Sequence, residues 1–187
     1  MTDVHTHNLA AGPDAIINIE PDTQLPAAGR FSTGVHPWRS TEAAALWHLV
    51  EAIAADPRIA AIGECGLDRL RGAGIDAQTE LFRRHALLAE RIGKPLIIHC
   101  VRAWAELLGV HASVRPAVPW IVHGFRGAPA LARQLLDAGM HLSLGEHFRP
   151  DTAAIIPADR LHLETDTSHL PIEEIAARVA AARLQQL

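Results

Sequence analysis

The chain has 187 residues, of which 49% are hydrophobic and 20% charged, with a formal charge of −4 at pH 7. That balance suits one packed domain over residues 1–187, and without a basic block it excludes a strongly cationic binder of nucleic-acid duplexes. No apolar run nears the ~20 residues that cross a bilayer, the opening MTDVHTH lacks a secretory pattern, and two cysteines make no disulfide framework, so a soluble cytoplasmic protein is expected.

In chain order, short apolar or β-branched segments predict strands at 3–7, 14–20, 30–37 and 59–67, then at 94–100, 119–125, 140–145 and 160–166. Helical patterns fall at 41–56, 76–93, 102–112, 128–139 and 171–186. Ser40 or Thr41 and Asp76 are expected to cap helix starts, and Gly93 and Gly139 to end helices in the left-handed conformation. Alternating strands and helices predict an α/β fold with a parallel sheet, and eight strands predict a compact (β/α)8 TIM-type barrel. The connections after the first two strands, residues 8–13 and 21–29, are too short for packed crossover helices, so the barrel should lack both. The bare side, with some of Ile16, Ile17 and Ile19 facing outward, then needs a cover. Either the last helix supplies it through a stripe of Ile172, Ile175, Val179 and Leu184, which makes a monomer, or a second copy does, which makes a homodimer.

Nearly every predicted strand ends in a polar side chain: His5 and His7, His36, Glu64, His99, His123, Glu146 and Asp166. In a parallel barrel these ends share the face on which active sites are built. His5 and His7 are two apart and point the same way from a strand. Joined by Glu64, His99, His123 and Asp166, they form a set of imidazoles and carboxylates too large for one tetrahedral ion and suited to two divalent ions bridged by a carboxylate. Glu64 is assigned as the bridge. Imidazole suits zinc, whereas carboxylate and water suit magnesium or manganese, so the metal stays open. The chemistry expected of such a pair is hydrolysis by an activated water.

The motifs HTH (5–7), GVHPW (34–38), AIGECGLD (61–68), KPLIIHC (94–100), VHGFRG (122–127) and LETD (163–166) resemble, in order and spacing, the TatD family of metal-dependent deoxyribonucleases in the amidohydrolase superfamily. The short II-N-I strand between HTH and GVHPW resembles a shortened branch of that family. The resemblance implies that His5, His7, Glu64 and Asp166 bind one ion and Glu64, His99 and His123 the other, with Asp166 also orienting the water or taking its proton. It implies phosphodiester hydrolysis, with single-stranded DNA or nucleotide ends as partner. The alternative is a small-molecule amidohydrolase, lactonase or phosphoesterase on the same site; a third class, a metal-binding protein without turnover, is disfavoured by the complete ligand set. The chain departs from the family pattern at Val101 and Arg102, at Arg126, and at Ser168–His169 after the ETD motif.

Around this set, His36 is expected to act behind the ligands or on substrate, and Asp68 either to orient a histidine through its second ring nitrogen or simply to form a turn. Arg102 and Arg126 offer planar forks for phosphate or are plain solvated surface charges, and Glu146 is a carboxylate toward substrate or a bound water or an exposed loop residue. Cys65 and Cys100 each follow a ligand and turn outward as core thiols. His48, His85, His111, His141 and His162 read as structural or exposed. Of the four tryptophans, Trp38 at a strand end is placed to stack on a base.

Overall fold

In the computed structural model, which describes residues 2–185, eight parallel strands close a barrel in sequence order. The strands are β1 (Asp3–Thr6), β2 (Ala15–Ile19), β3 (Arg30–Thr33), β4 (Ile59–Asp68), β5 (Leu96–Val101), β6 (Trp120–Val122), β7 (His141–Leu144) and β8 (Leu161–Leu163). The ring closes where Asp3 pairs with Leu163 and Thr6 with Asp166. The helices are α1 (Ala43–Ile53), α2 (Ile75–Ile92), α3 (Trp104–Val114), α4 (Pro129–Asp137), the single turn α5 (Pro150–Ala153) and α6 (Ile172–Leu184). No helix interrupts the connections from β1 to β2 or from β2 to β3, as the short spacings require. Among the described residues no helix is long and apolar enough to cross a membrane.

The helix stops and starts follow local chemistry with two corrections. Gly93 ends α2 at φ 67, and Gly139 follows α4 at φ 98, left-handed positions that a glycine takes without a Cβ clash. Ser40 does not cap α1. A 3-10 turn over Pro37–Glu42 precedes that helix, and the Ser40 hydroxyl donates to the Pro37 carbonyl (2.6 Å) while accepting from the Ala73 amide (2.8 Å). The N-cap of α2 is Gly74, and Asp76 sits in the first turn, where its charge still favours the helix dipole.

Most of the core lies between the barrel's outer face and the helices, whereas Ala61, Ile97 and Ile121 form a separate small cluster, on alternate residues of β4, β5 and β6. The trimmed side is closed by the chain itself. Ala15, Ile17 and Ile19 are buried within the main core, in one cluster with Phe31 of β3 and Leu46 and Trp47 of α1, and Ala11 and Leu25 of the two short connections pack against it. The last helix is not the cover that the sequence suggests: α6 packs chiefly against α5 and β8. Its buried residues are Ile175, Val179 and Ala182, while Leu184 is 72% exposed. The helix is joined to β8 by residues 164–171 alone, which keeps it beside that strand and away from β2 and β3.

Buried His85 ties this frame together. Its Nε2 accepts from the Val35 amide (2.9 Å) and its Nδ1 faces the Leu81 carbonyl (2.8 Å), so the neutral ring fixes the segment that presents His36. Burial pushes its pKa down to about 4. A histidine near 6.5 unfolded and about 4 folded binds fewer protons when folded, so its contribution is complete above pH 6.5 and is lost as pH falls toward 4. In chelator, the loss of unfolding free energy across that window is expected to be smaller in His85→Gln than in the wild type by up to about 3 kcal/mol. Equal pH slopes in the two proteins would remove His85 from this role.

Candidate metal centre

The barrel's carboxyl-terminal face gathers the polar strand ends around one carboxylate. Glu64 is 4% exposed and comes from the middle of β4, which runs on to Asp68, deeper than the sequence pattern suggests. Its backbone amide donates to Asn18 Oδ1 (2.8 Å), and Asn18 also accepts from the Ser32 hydroxyl (3.2 Å). The two carboxylate oxygens face different groups. Oε2 lies 3.3 Å from His5 Nε2 and 3.4 Å from His7 Nε2. Oε1 lies 3.0 Å from His36 Nε2, 3.0 Å from His99 Nδ1 and 2.8 Å from His123 Nε2. Asp166 completes the His5 and His7 side, with Oδ1 at 3.8 and 3.7 Å from their Nε2 atoms.

Burial pushes the Glu64 carboxyl up, but the imidazoles, His123 foremost, outweigh it and hold it well below the usual carboxylate range. Burial likewise lowers His123, and the Glu64 and Glu164 carboxylates overcome it and raise the ring well above an ordinary histidine. Such a cluster asks for positive charge in its middle. The Nε2 of fully buried His5, which faces Glu64 and Asp166, has no hydrogen-bond partner, an unmet need that a coordinated cation fulfils. Three sets hold ligand atoms within 4.8 Å of one another: His5, His7 and Glu64; His36, Glu64 and His99; and His5, His123 and Asp166. Their donors, imidazole with carboxylate, fit a divalent metal.

A second layer steadies the rings. Asp68, 3% exposed, accepts from Trp38 Nε1 (2.6 Å), faces His99 Nε2 at 3.3 Å and receives the Leu70 amide (2.8 Å), contacts that suit both orienting a histidine and forming a turn. Asp68→Asn is expected to weaken metal binding ~10-fold through a less constrained and less basic His99, as read by calorimetric titration of the metal-stripped protein. Unchanged affinity would leave Asp68 a turn residue only. Glu164, fully buried, accepts from the Gly124 amide (2.5 Å) and lies 3.5 Å from His123 Nδ1. Asp3 receives the Thr165 amide (3.1 Å) and hydroxyl (2.6 Å) and the His5 amide (3.3 Å), locking the start of β1 to the segment that follows β8.

His36 Nε2 touches Glu64 Oε1 directly, among the atoms able to hold an ion. Arg126 and Glu146 line a cleft of about 160 Å³ that reaches Asp166, together with His147 and His169; there Glu146 is held by the Ser168 hydroxyl (2.6 Å). Arg102 is exposed, at φ 55, and makes no ion pair or side-chain hydrogen bond among the described residues. Cys65 is buried in the outer core and Cys100 packs partly against it, as their strand phase requires. Asn18, Glu164, Asp3 and His85 were not expected at the site. Asn18 had one signal, a polar residue between isoleucines on the inward phase of β2.

A closed parallel barrel with a carboxylate–imidazole cluster at its carboxyl-terminal face defines the class of protein. The sequence matches the family described as TatD related DNase over residues 20–182, and the chain belongs to the TatD family. It is 35% identical over 173 residues to the 3'-5' ssDNA/RNA exonuclease TatD of Cronobacter turicensis, covering 83% of this chain and 64% of that protein. A Mycobacterium tuberculosis protein named an uncharacterized metal-dependent hydrolase TatD is 32% identical over 188 residues, covering 86% and 70%. Among solved structures, a hydrolase TatD family protein from Entamoeba histolytica superposes with a TM-score of 0.62 at 25% identity, over 73% of this chain and 50% of that one. YJJV, a TatD homologue from Escherichia coli k12, shares the fold with a TM-score of 0.72 at 22% identity, over 91% and 77%. The chain thus spans 64% of the length of the Cronobacter relative.

Proposed function

We propose that this protein is a divalent-metal-dependent hydrolase that cleaves phosphodiester bonds at the ends of single-stranded nucleic acid. The observation that carries the reading is the division of the Glu64 carboxylate, with Oε2 toward His5 and His7 and Oε1 toward His36, His99 and His123. A carboxylate placed so is suited to bridge two ions, one held with His5, His7 and Asp166 and one with His99 and His123. Bound divalent ions at such a site lower the pKa of a water and balance charge on a phosphate oxygen.

The protein groups have separable tasks. Glu64 holds both halves of the cluster together. Asp166 orients the attacking water and accepts its proton, since its carboxylate is 27% exposed toward the cleft while His5 is fully buried. Arg126 at that cleft offers a guanidinium to a phosphate of the substrate. A narrow cleft reached by one strand end needs no long basic groove, which agrees with the net charge of −4. The exonuclease name carried by the Cronobacter relative supports the substrate class.

The test compares short single-stranded DNA and RNA, bis-p-nitrophenyl phosphate and a panel of esters and amides, each with metal and with chelator. Metal-dependent release of nucleotides from strand ends is the expected result. Ester or amide turnover with intact oligonucleotides would replace this reading with a small-molecule hydrolase.

A further inference from the structure

We propose that Trp38 and Arg71 form a recognition subsite for one nucleotide unit beside the metal cluster, the indole taking a base and the guanidinium the adjoining phosphate. The inference rests on the nucleic-acid reading above and adds a feature to it. Trp38 follows β3 and the Arg71 loop follows β4, so neighbouring strands deliver both to the face that holds Glu64. The indole is 47% exposed, although large aromatic side chains are usually covered. Its ring nevertheless has a fixed position. Nε1 donates to Asp68 Oδ2 (2.6 Å), and the ring stands edge-on to His36 at 4.7 Å and to His99 at 5.8 Å between centroids. A flat group stacked on this indole therefore lies next to two imidazoles of the cluster.

The Arg71 guanidinium lies 4.2 Å from the indole centroid. It is exposed and has no ion pair among the described residues, whereas the nearby Arg69 is paired with Glu106. Its loop is built rather than loose. Buried Gln78 donates to the carbonyls of Arg71 (2.8 Å) and Ala73 (2.7 Å) and accepts from the Asp68 amide (2.7 Å). Gly72 takes φ +84 in a place where a Cβ would come within 2.0 Å of the Pro37 carbonyl, so the loop presses directly on the turn that carries Trp38. These contacts bring an unpaired cation and an open aromatic face together at the mouth of the site. Base stacking on an indole outweighs an exposed cation–π contact. An incoming base then takes the guanidinium's place on the ring and frees it for the phosphate.

The test uses the metal-loaded protein and two hydrolysis-resistant phosphorothioate oligomers of equal length, one of thymidylate and one abasic. Binding is read by fluorescence anisotropy. Trp38→Leu and Trp38→Phe both lose the bond to Asp68, but only Trp38→Phe keeps an aromatic face. Trp38→Leu should weaken thymidylate binding ~10-fold and leave abasic binding unchanged, with Trp38→Phe close to wild type on both. Arg71→Ala should weaken both oligomers and lower the slope of binding against salt by ~1. Equal losses on the two oligomers in Trp38→Leu, or equal effects of Leu and Phe, would overturn the subsite while wild-type binding upheld the nucleic-acid reading. Wild-type protein that neither binds nor hydrolyses single strands would overturn that reading itself.

Discussion

Replacing Glu64 by Gln is expected to reduce turnover by ~10³-fold and to lower bound metal from about two ions per chain to fewer than one. The amide is nearly isosteric, and the backbone bond from residue 64 to Asn18 survives, so the fold should persist. What changes is the electrostatics between two imidazole groups. His5 and His7 face one oxygen and His36, His99 and His123 the other, within 3.4 Å. An amide offers one acceptor and one donor to these rings, so it cannot bridge cations on both sides and carries no charge to offset them. Elemental analysis after dialysis, beside steady-state rates with added metal and with chelator, reads both quantities. A Gln variant with full metal content and wild-type rates, or a wild-type protein fully active in chelator, would remove the carboxylate bridge from the proposal.

The sequence could assign His5, His7, His99, His123, Glu64 and Asp166 to one face because a parallel barrel turns strand order into a ring, while it set His36 apart as a residue behind the ligands or on substrate. Polar residues recurring at the ends of apolar segments, as in KPLIIHC and PWIVHGF, must then converge wherever the helices lie. The missing helices after β1 and β2 were equally accessible, since connection length alone forbids them. The cover of that side was not, because burial of Ile17 and Ile19 depends on how Ala11 and Leu25 of the short connections fold inward, and no periodicity encodes this. Supporting side chains were harder to read for a related reason. Glu164 is two residues before Asp166, but His123 Nδ1 and the Gly124 amide that meet it are about forty residues away. His85 sits on a helical pattern that a core histidine and a working one satisfy alike. Arg102, next to a ligand in sequence, stands exposed at φ 55 and without a polar partner among the described residues.

Asp166→Asn is expected to lower turnover by at least ~100-fold with the fold intact, the loss appropriate to a group that takes the proton of the attacking water. The backbone makes this substitution clean. Asp166 stands at φ 51, a left-handed position that asparagine tolerates better than most residues, so Asn adds little strain where Ala would add more. Its amide donates to the His5 carbonyl (2.9 Å) and its carbonyl accepts from the His7 amide (3.0 Å), and neither bond depends on the carboxylate. The closure of β1 against β8 therefore survives, and His5 and His7 stay in place while the acceptor of the proton is gone. Cys65→Ala is the control within the same neighbourhood. That thiol is adjacent to Glu64 in sequence but buried in the outer core, where it meets the Ile97 carbonyl at 3.7 Å, so its loss should cost about 1 kcal/mol of stability and little activity. Rates measured at equal metal saturation, with unfolding midpoints for both variants, separate the two effects. If Cys65→Ala proved the more damaging to turnover at matched stability, or Asp166→Asn kept more than a tenth of the wild-type rate, Asp166 would be a metal-side neighbour and the proton would have to leave through another group.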